Sequence, residues 1–447
     1  MKKIFISFFC CMSVLSGFGQ TVQQKLEEFL TIYNRDNLFN GSVLVAQKEN
    51  ILLQKGYGWK NIHDSSLNDA NTIFQIGSVT KQFTAAIILQ LQEQKKLSIE
   101  DSVSKYFQGF PHGGKITVRH LVTHTSGLYN YTKDTVFMKN DAVKFITRDK
   151  MLSLFRDKPL DFEPGSSFSY SNSGYVLLGY IIEQVTGKSY FRVVRENIFK
   201  PLRMDHSGFN FASLNDTDKA TGYFLLTPKA NMPAPVVDSS VAHAAGAIYT
   251  TVGDLYKWDR ALYNGKLIND ASMQVAFTPN KGNYAYGWVI DSAWNKKVAY
   301  HTGGIFGFSS IIARVLDDQT CIILFDNHGS PSLEKMAEGL NAIVQGKPYE
   351  LPKSRPEIEL SAEILRQYIG EYELAPNFIL TVTFEEGQLM TQATGQAKVP
   401  IFAEKENFFF LKVVDAQLEF IKGVDGKMEK LILHQKGQTI PAKKLGK

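Results

Sequence analysis

Apolar and polar positions follow two textures along this chain, and the change between them divides it. Over residues 22–34 apolar residues recur at helical spacing, which predicts an amphipathic helix. Ser42–Ala46 and Ile51–Lys55 read as two strands, joined by the turn residues Lys48-Glu49-Asn50. Residues 78–95 return to helical spacing, with Phe83, Ala86, Ile87 and Leu91 on one stripe. Further helices are predicted over Thr117–Thr123 and Tyr175–Thr186, the second closed by Gly187 at a C-cap. Thr251 and Asp254 stand at capping-box spacing ahead of Leu255–Trp258. Strands are then predicted over Tyr284–Ile290, Val298–His301, Phe308–Val315 and Gln319–Asn327, and a helix over Ser332–Val344. Strands at both ends with helices between predict an α+β sandwich whose terminal elements share one sheet.

Residues 346–360 are rich in proline and charge and read as a linker. From 361 to 447 short alternating runs appear: Phe378–Phe384, Gln388–Gln392, Phe408–Val414, Leu418–Ile421 and Lys430–Leu433. The turn signals Glu386-Gly387, Asp425-Gly426 and Lys436-Gly437 separate them, so this part reads as a small antiparallel β domain, a barrel or sandwich. No solenoid repeat or low-complexity stretch interrupts either part.

The N-terminus changes the picture. A basic start, Met1-Lys2-Lys3, precedes an apolar run from Ile4 to Leu15 and the small residues Gly17 and Gly19. This reads as a secretory signal peptide over residues 1–19, and hence an exported protein, periplasmic or secreted. The run is shorter than the ~20 residues a bilayer span needs, so no stable membrane insertion is expected after cleavage. Ser7, Phe8 and Phe9 precede Cys10 and Cys11 where a lipoprotein signal carries small residues. Losing Lys2 and Lys3 lowers the formal charge from +5 to +3, too mild for a nucleic-acid partner. Cys321 then remains alone inside an apolar run, which excludes an internal disulfide and reads as core packing.

Three short motifs carry the candidate chemistry: Ser78-Val79-Thr80-Lys81 at the start of the long helix, Tyr170-Ser171-Asn172, and His301-Thr302-Gly303 on a strand. Positions i and i+3 share a helix face, so Lys81 reaches Ser78. The helix start offers Ser78 free N–H groups and a favourable dipole. A serine hydroxyl becomes a nucleophile when a base takes its proton. Neutral Lys81 can be that base, or Lys81 can hold Tyr170 as a phenolate; the residues leave both open. Tyr170 also suits protonation of a leaving group. Asn172 lies two residues on, where its amide can hold a substrate carbonyl and the Lys81 ammonium. His301-Thr302-Gly303-Gly304 reads as an edge strand for an extended substrate, its glycines allowing close backbone approach. The backbone N–H groups of Ser78 and Gly304 form the expected oxyanion hole, where one lost donor costs ~3–4 kcal/mol in the transition state.

In joint order these motifs resemble the serine β-lactamases and penicillin-binding proteins, in the branch with Y-x-N and [KH]-T-G motifs: class C β-lactamases, DD-peptidases, D-aminopeptidases and related esterases. The resemblance runs from about residue 24 to 345. Thr72–Ser78 is similar to the family's lead-in to the nucleophile, Leu97–Asp101 to the end of its helix, His120–Leu128 to its helix and turn, and Glu163-Pro164-Gly165 to the turn before the tyrosine. It implies an α/β-sandwich with an antiparallel sheet and an all-helical subdomain. It also implies Ser78 as nucleophile, Lys81 and Tyr170 as the acid/base pair, and Asn172, His301, Thr302 and Gly303 in substrate binding. The reaction implied is acyl transfer through a covalent acyl-enzyme, with no metal or other cofactor and a small-molecule or peptide substrate. The C-terminal domain resembles a lipocalin-like barrel.

His301 stands where class C β-lactamases carry lysine, and a histidine near its ordinary pKa of ~6.5 is cationic only part of the time. Peptides containing D-residues are therefore expected ahead of β-lactams, with esters beside them; a penicillin- or muropeptide-binding protein without turnover is the reading from another class. His120 and His124, spaced i and i+4, lack the glutamate and third ligand of a zinc site and read as structural. Glu163 reads as a turn residue. His243–Ala247 is either a buried loop or a lining of the cleft. Phe408-Phe409-Phe410, Tyr368 and Tyr372 read as core and cross-strand aromatics rather than a barrel-mouth ligand site.

Overall fold

Helix α1 (Val22–Arg35) starts at a reciprocal capping box: Gln24 N–H donates to Thr21 Oγ1 and Thr21 N–H donates to Gln24 Oε1. The computed structural model describes residues 20–446 except 228–229, 353–354, 397, 413 and 436. The expected signal peptide, Val413 in a predicted strand and Lys436 in a predicted turn lie outside the described residues.

After α1 come β1 (Gly41–Gln47), β2 (Asn50–Tyr57), α2 (Thr80–Glu93), α3 (Asn172–Thr186), α4 (Ser239–Gly246), α5 (Val252–Ala261), β3 (Val289–Ala293), β4 (Lys296–Ile305), β5 (Phe308–Val315), β6 (Thr320–Asp326) and α6 (Leu333–Val344), with shorter elements between. The six strands form one antiparallel sheet in the order β2-β1-β6-β5-β4-β3, so the first and last strands of this part are neighbours. Every residue of β6 is buried because both sheet faces are covered. Val43, Val45, Ile322 and Leu324 face α1 and α6, whereas Leu44, Ala46, Ile323 and Phe325 face the helical region. Helix α2 is buried through Thr80–Leu91, as a helix at the centre of a fold must be, and packs against α3 and α4. The expected α+β sandwich is the architecture found.

Local chemistry explains the boundaries. Gly187 ends α3 in the left-handed conformation at φ 67°. Thr251 caps α5 by accepting from Asp254 N–H at 3.1 Å, while the Asp254 carboxylate turns instead to Ser207 Oγ–H and His206 N–H. Two expectations need correction. Ser78 lies in a 3-10 turn, Gly77–Val79, and the α-helix begins at Thr80. The strand expected over Tyr284–Ile290 begins only at Val289. Gly287 has φ 78° and sits where a Cβ would lie 2.8 Å from Lys81 O, so the chain turns there to pass under α2. The alternation of Tyr284, Tyr286 and Trp288 records three buried side chains, not a pleat.

The C-terminal part is a nearly closed antiparallel barrel of nine strands between Gly370 and Lys444. Tyr368, Tyr372, Leu389, Phe409, Phe420 and Leu431 form its own core. Tyr368 donates to Glu406 O and Tyr372 to Tyr368 O, so both phenols are used structurally. Among the described residues no helix is long and apolar enough to cross a membrane.

Candidate active site

The edge of β4 makes the site possible. β3 pairs with β4 only over Lys296–Tyr300, leaving His301–Ile305 open on that side. The Gly77–Val79 turn docks there. A Cβ on Gly303 would lie 2.0 Å from Ile76 O, and one on Gly77, already at φ 48°, would lie 2.8 Å from Gly304 O. Glycine at both positions lets two backbones touch, bringing the main chain of Gly304 beside Ser78. Ser310 Oγ–H donates to Ile76 O at 2.8 Å and pins the contact.

Ser78 is partly exposed to the cleft, while Lys81 below it is fully buried. Lys81 Nζ lies 3.0 Å from Ser78 Oγ, 2.8 Å from Asn172 Oδ1 and 2.8 Å from Ala245 O. No carboxylate pairs with it among the described ion pairs, and burial holds its pKa well below the ordinary lysine value. The ring faces of Tyr170 and Tyr175, with centroids 4.8 and 5.3 Å from Nζ, offset only part of the lost hydration. The Asn172 amide is oriented by its other end, since Nδ2 donates to Thr132 Oγ1 at 3.2 Å.

Asn172 Oδ1 and Ala245 O only accept, so they take two N–H groups. Toward Ser78 Oγ, Nζ can donate a third hydrogen as an ammonium or present a lone pair as a neutral amine, so the partner set fits both states. Burial, which lowers the pKa, favours the neutral one.

Tyr170 is held by aromatics. Its ring lies 4.2 Å from that of His124, and the Tyr284 ring stands edge-on at 6.2 Å. Its hydroxyl is buried and makes no well-aligned hydrogen bond among the described residues, although the Ser78 side chain is near enough to act on it. Burial raises the phenol pKa, with the Ser78 side chain as the opposing influence, so the proton stays on.

His301 departs from its expected place. It is buried with both ring nitrogens engaged: Nδ1 lies 2.6 Å from Thr302 O and Nε2 lies 2.9 Å from Tyr284 Oη. The carbonyl can only accept, so Nδ1 carries the hydrogen and Nε2 accepts from the tyrosine. Burial pushes its pKa down to about 3. The ring is a neutral support beneath the tyrosines rather than a cation facing the cleft. Thr302 and Gly303 follow on the open strand edge.

Residues without a sequence signal complete the site. Ala245 contributes only its carbonyl, aimed by a kink at His243 (φ 37°, ψ −133°), a conformation costly for any residue with a Cβ. His243 is held there by packing on Tyr180 and Tyr190 and lies 3.6 Å from Glu183. The His243–Ala247 segment is both buried and, through Ala245 and Gly246, part of the cleft wall. His124 Nδ1 accepts from Ser171 N–H and His120 Nδ1 from Thr117 N–H, and no group of three metal-ligating side chains forms among the described residues. Glu163 pairs with Lys115 on the surface.

A family model described as Beta-lactamase matches residues 20–345, and a second, described as Domain of unknown function (DUF3471), matches residues 354–444. The chain is similar to penicillin-binding protein 4* of Bacillus subtilis, 29% identical over 447 residues, covering 94% of this chain and 98% of the relative. Among solved structures it is similar to the octameric penicillin-binding protein homologue from Pyrococcus abyssi, with TM-score 0.65, 25% identity and coverage of 94% and 99%. It is likewise similar to a D-stereospecific amidohydrolase from Streptomyces sp., with TM-score 0.61, 26% identity and coverage of 73% and 98%.

Proposed function

The chain belongs to the beta-lactamase family of serine hydrolases, and on that premise we propose that it cleaves amide or ester bonds through an acyl-enzyme on Ser78. The carrying observation is Lys81, fully buried with Nζ 3.0 Å from Ser78 Oγ and with its pKa held well below the ordinary lysine value. In acylation Lys81 takes the hydroxyl proton as Oγ attacks the carbonyl carbon. The backbone N–H groups of Ser78 and Gly304 receive the developing oxyanion. Tyr170, kept as a phenol, protonates the leaving group, and the Lys81 ammonium reprotonates Tyr170. In deacylation Lys81 takes a proton from water, the hydroxide attacks the acyl carbon, and Ser78 Oγ departs with the proton from Lys81. Asn172 holds Lys81 and has one amide hydrogen left for a substrate carbonyl.

Derivatives of D-amino acids are the first substrate class, supported by the D-stereospecific amidohydrolase and penicillin-binding relatives. Simple esters come second. A buried neutral His301 supplies no charge for a substrate carboxylate, which counts against β-lactams and carboxylate-ended peptides. Export follows from the N-terminal pattern, and the barrel is read as a lipocalin-like accessory domain. The test is turnover of p-nitrophenyl acetate and N-acetyl-D-phenylalanine amide by wild type and Ser78→Ala. Loss of at least a thousandfold in kcat/KM is expected; full activity in the variant refutes the reading.

A further inference from the structure

The wall of the cleft beside Ser78 carries a second kind of information. A cavity of about 460 Å³ opens there, within the range of small-molecule sites. Met138, Phe224, Val237, Val241, Ile305 and Phe306 form its apolar surface, and Phe224 meets Phe306 edge to face at 5.6 Å. Among the described residues no Asp, Glu, Lys, Arg or His lines it. Its polar neighbours are neutral and partly committed: Tyr131 Oη–H donates to Val241 O, and Thr132 Oγ1 accepts from Asn172, which leaves the Ser309 and Thr132 hydroxyls and one Asn172 amide hydrogen but no opposite charge. An ammonium or carboxylate entering this space would lose hydration without meeting an opposite charge, and such burial is costly. An alkyl or aryl group would instead exchange water for apolar surface.

Resting on the acyl-enzyme reading, we propose that this cavity is the acyl subsite and selects an uncharged, apolar acyl group. The substrates are then esters and amides whose acyl side carries no free ammonium or carboxylate, such as N-blocked rather than free D-amino acid derivatives. Val237 and Val241 are buried and fixed, while half-buried Met138 is the place where a charge can be introduced without opening the core.

The experiment compares p-nitrophenyl hexanoate, mono-p-nitrophenyl adipate and p-nitrophenyl 6-aminohexanoate, three acyl chains of equal length, with rates normalised to alkaline hydrolysis. Wild-type kcat/KM is expected at least about tenfold higher for the hexanoate than for either charged ester. Met138→Glu is expected to raise the aminohexanoate-to-hexanoate ratio at least about fivefold, while Met138→Gln leaves it near wild type. Charged esters used within threefold of the hexanoate, or a ratio that Met138→Glu does not move, would overturn the subsite. Ser78→Ala is run in parallel: activity that survives it refutes the acyl-enzyme reading, whereas Ser78-dependent turnover without charge preference refutes the subsite alone.

Discussion

The carbonyl oxygen of Ala245 accepts a hydrogen bond from Lys81 Nζ at 2.8 Å, from a peptide aimed by the kink at His243. That bond and the one to Asn172 Oδ1 hold Nζ 3.0 Å from Ser78 Oγ, and burial favours its neutral, basic form. Replacing the amine by an isosteric apolar chain should remove the base and keep the packing. Lys81→Met is expected to fold and to lose at least a thousandfold in kcat/KM on p-nitrophenyl esters. Lys81→Arg is expected not to restore activity, because a guanidinium does not deprotonate. Circular dichroism beside steady-state kinetics checks both.

Burial lowers the pKa of Lys81, which sets the sign of the pH dependence. The active neutral form is lost as pH falls through that lowered pKa. The acid limb of kcat/KM should therefore level off well below the ordinary lysine value of about 10.4. A profile from pH 5 to 10 measures it; a rate still rising at pH 10 would place the base elsewhere.

Tyr170 separates catalysis from stability. Its ring packs on His124, but its hydroxyl is buried without a well-aligned hydrogen bond among the described residues. Tyr170→Phe keeps the ring and removes an unsatisfied polar group, so the thermal midpoint should hold or rise. Loss of the leaving-group acid should lower kcat about 10²–10⁴-fold, more for amides than for activated esters. Melting curves and kinetics on both substrates read the two effects independently.

Gly303 and Gly304 should respond oppositely to alanine. A Cβ on Gly303 meets Ile76 O and Ser310 Oγ, whereas one on Gly304 meets nothing within 4 Å. Gly303→Ala is expected to lower both the thermal midpoint and activity, and Gly304→Ala to melt as wild type does.

His301 adds a pH dependence to stability. Its folded pKa of about 3 lies below the unfolded value of ~6.5, so between them the unfolded chain binds more protons. Stability should fall as pH drops from 6.5 toward 3 and be insensitive to this group above 7. His301→Asn, which keeps a donor near Thr302 O, should flatten that slope in melts from pH 4 to 7.

Much of this was legible in the sequence because it rests on local geometry. Ser78 and Lys81 meet through helical spacing, and Tyr170 and Asn172 flank Ser171, the N-cap of α3. The sheet could be read from apolar runs at both ends of the first part, since β6 is buried on both faces. What escaped depends on contacts between distant segments. The carbonyl of Ala245 has no side-chain signature, and its aim depends on a kink two residues earlier. The turn at Gly287 mimics strand alternation because its aromatics are buried by different neighbours. The inward turn of His301 depends on Tyr284 reaching its Nε2, a partner that no motif includes.

The central claim, a nucleophilic Ser78 activated by Lys81, is tested most directly by intact-protein mass after exposure to a fluorophosphonate. One adduct per chain is predicted for wild type, none for Ser78→Ala, and a strongly slowed adduct for Lys81→Met. An adduct of equal extent on Ser78→Ala, or none on wild type, would contradict it.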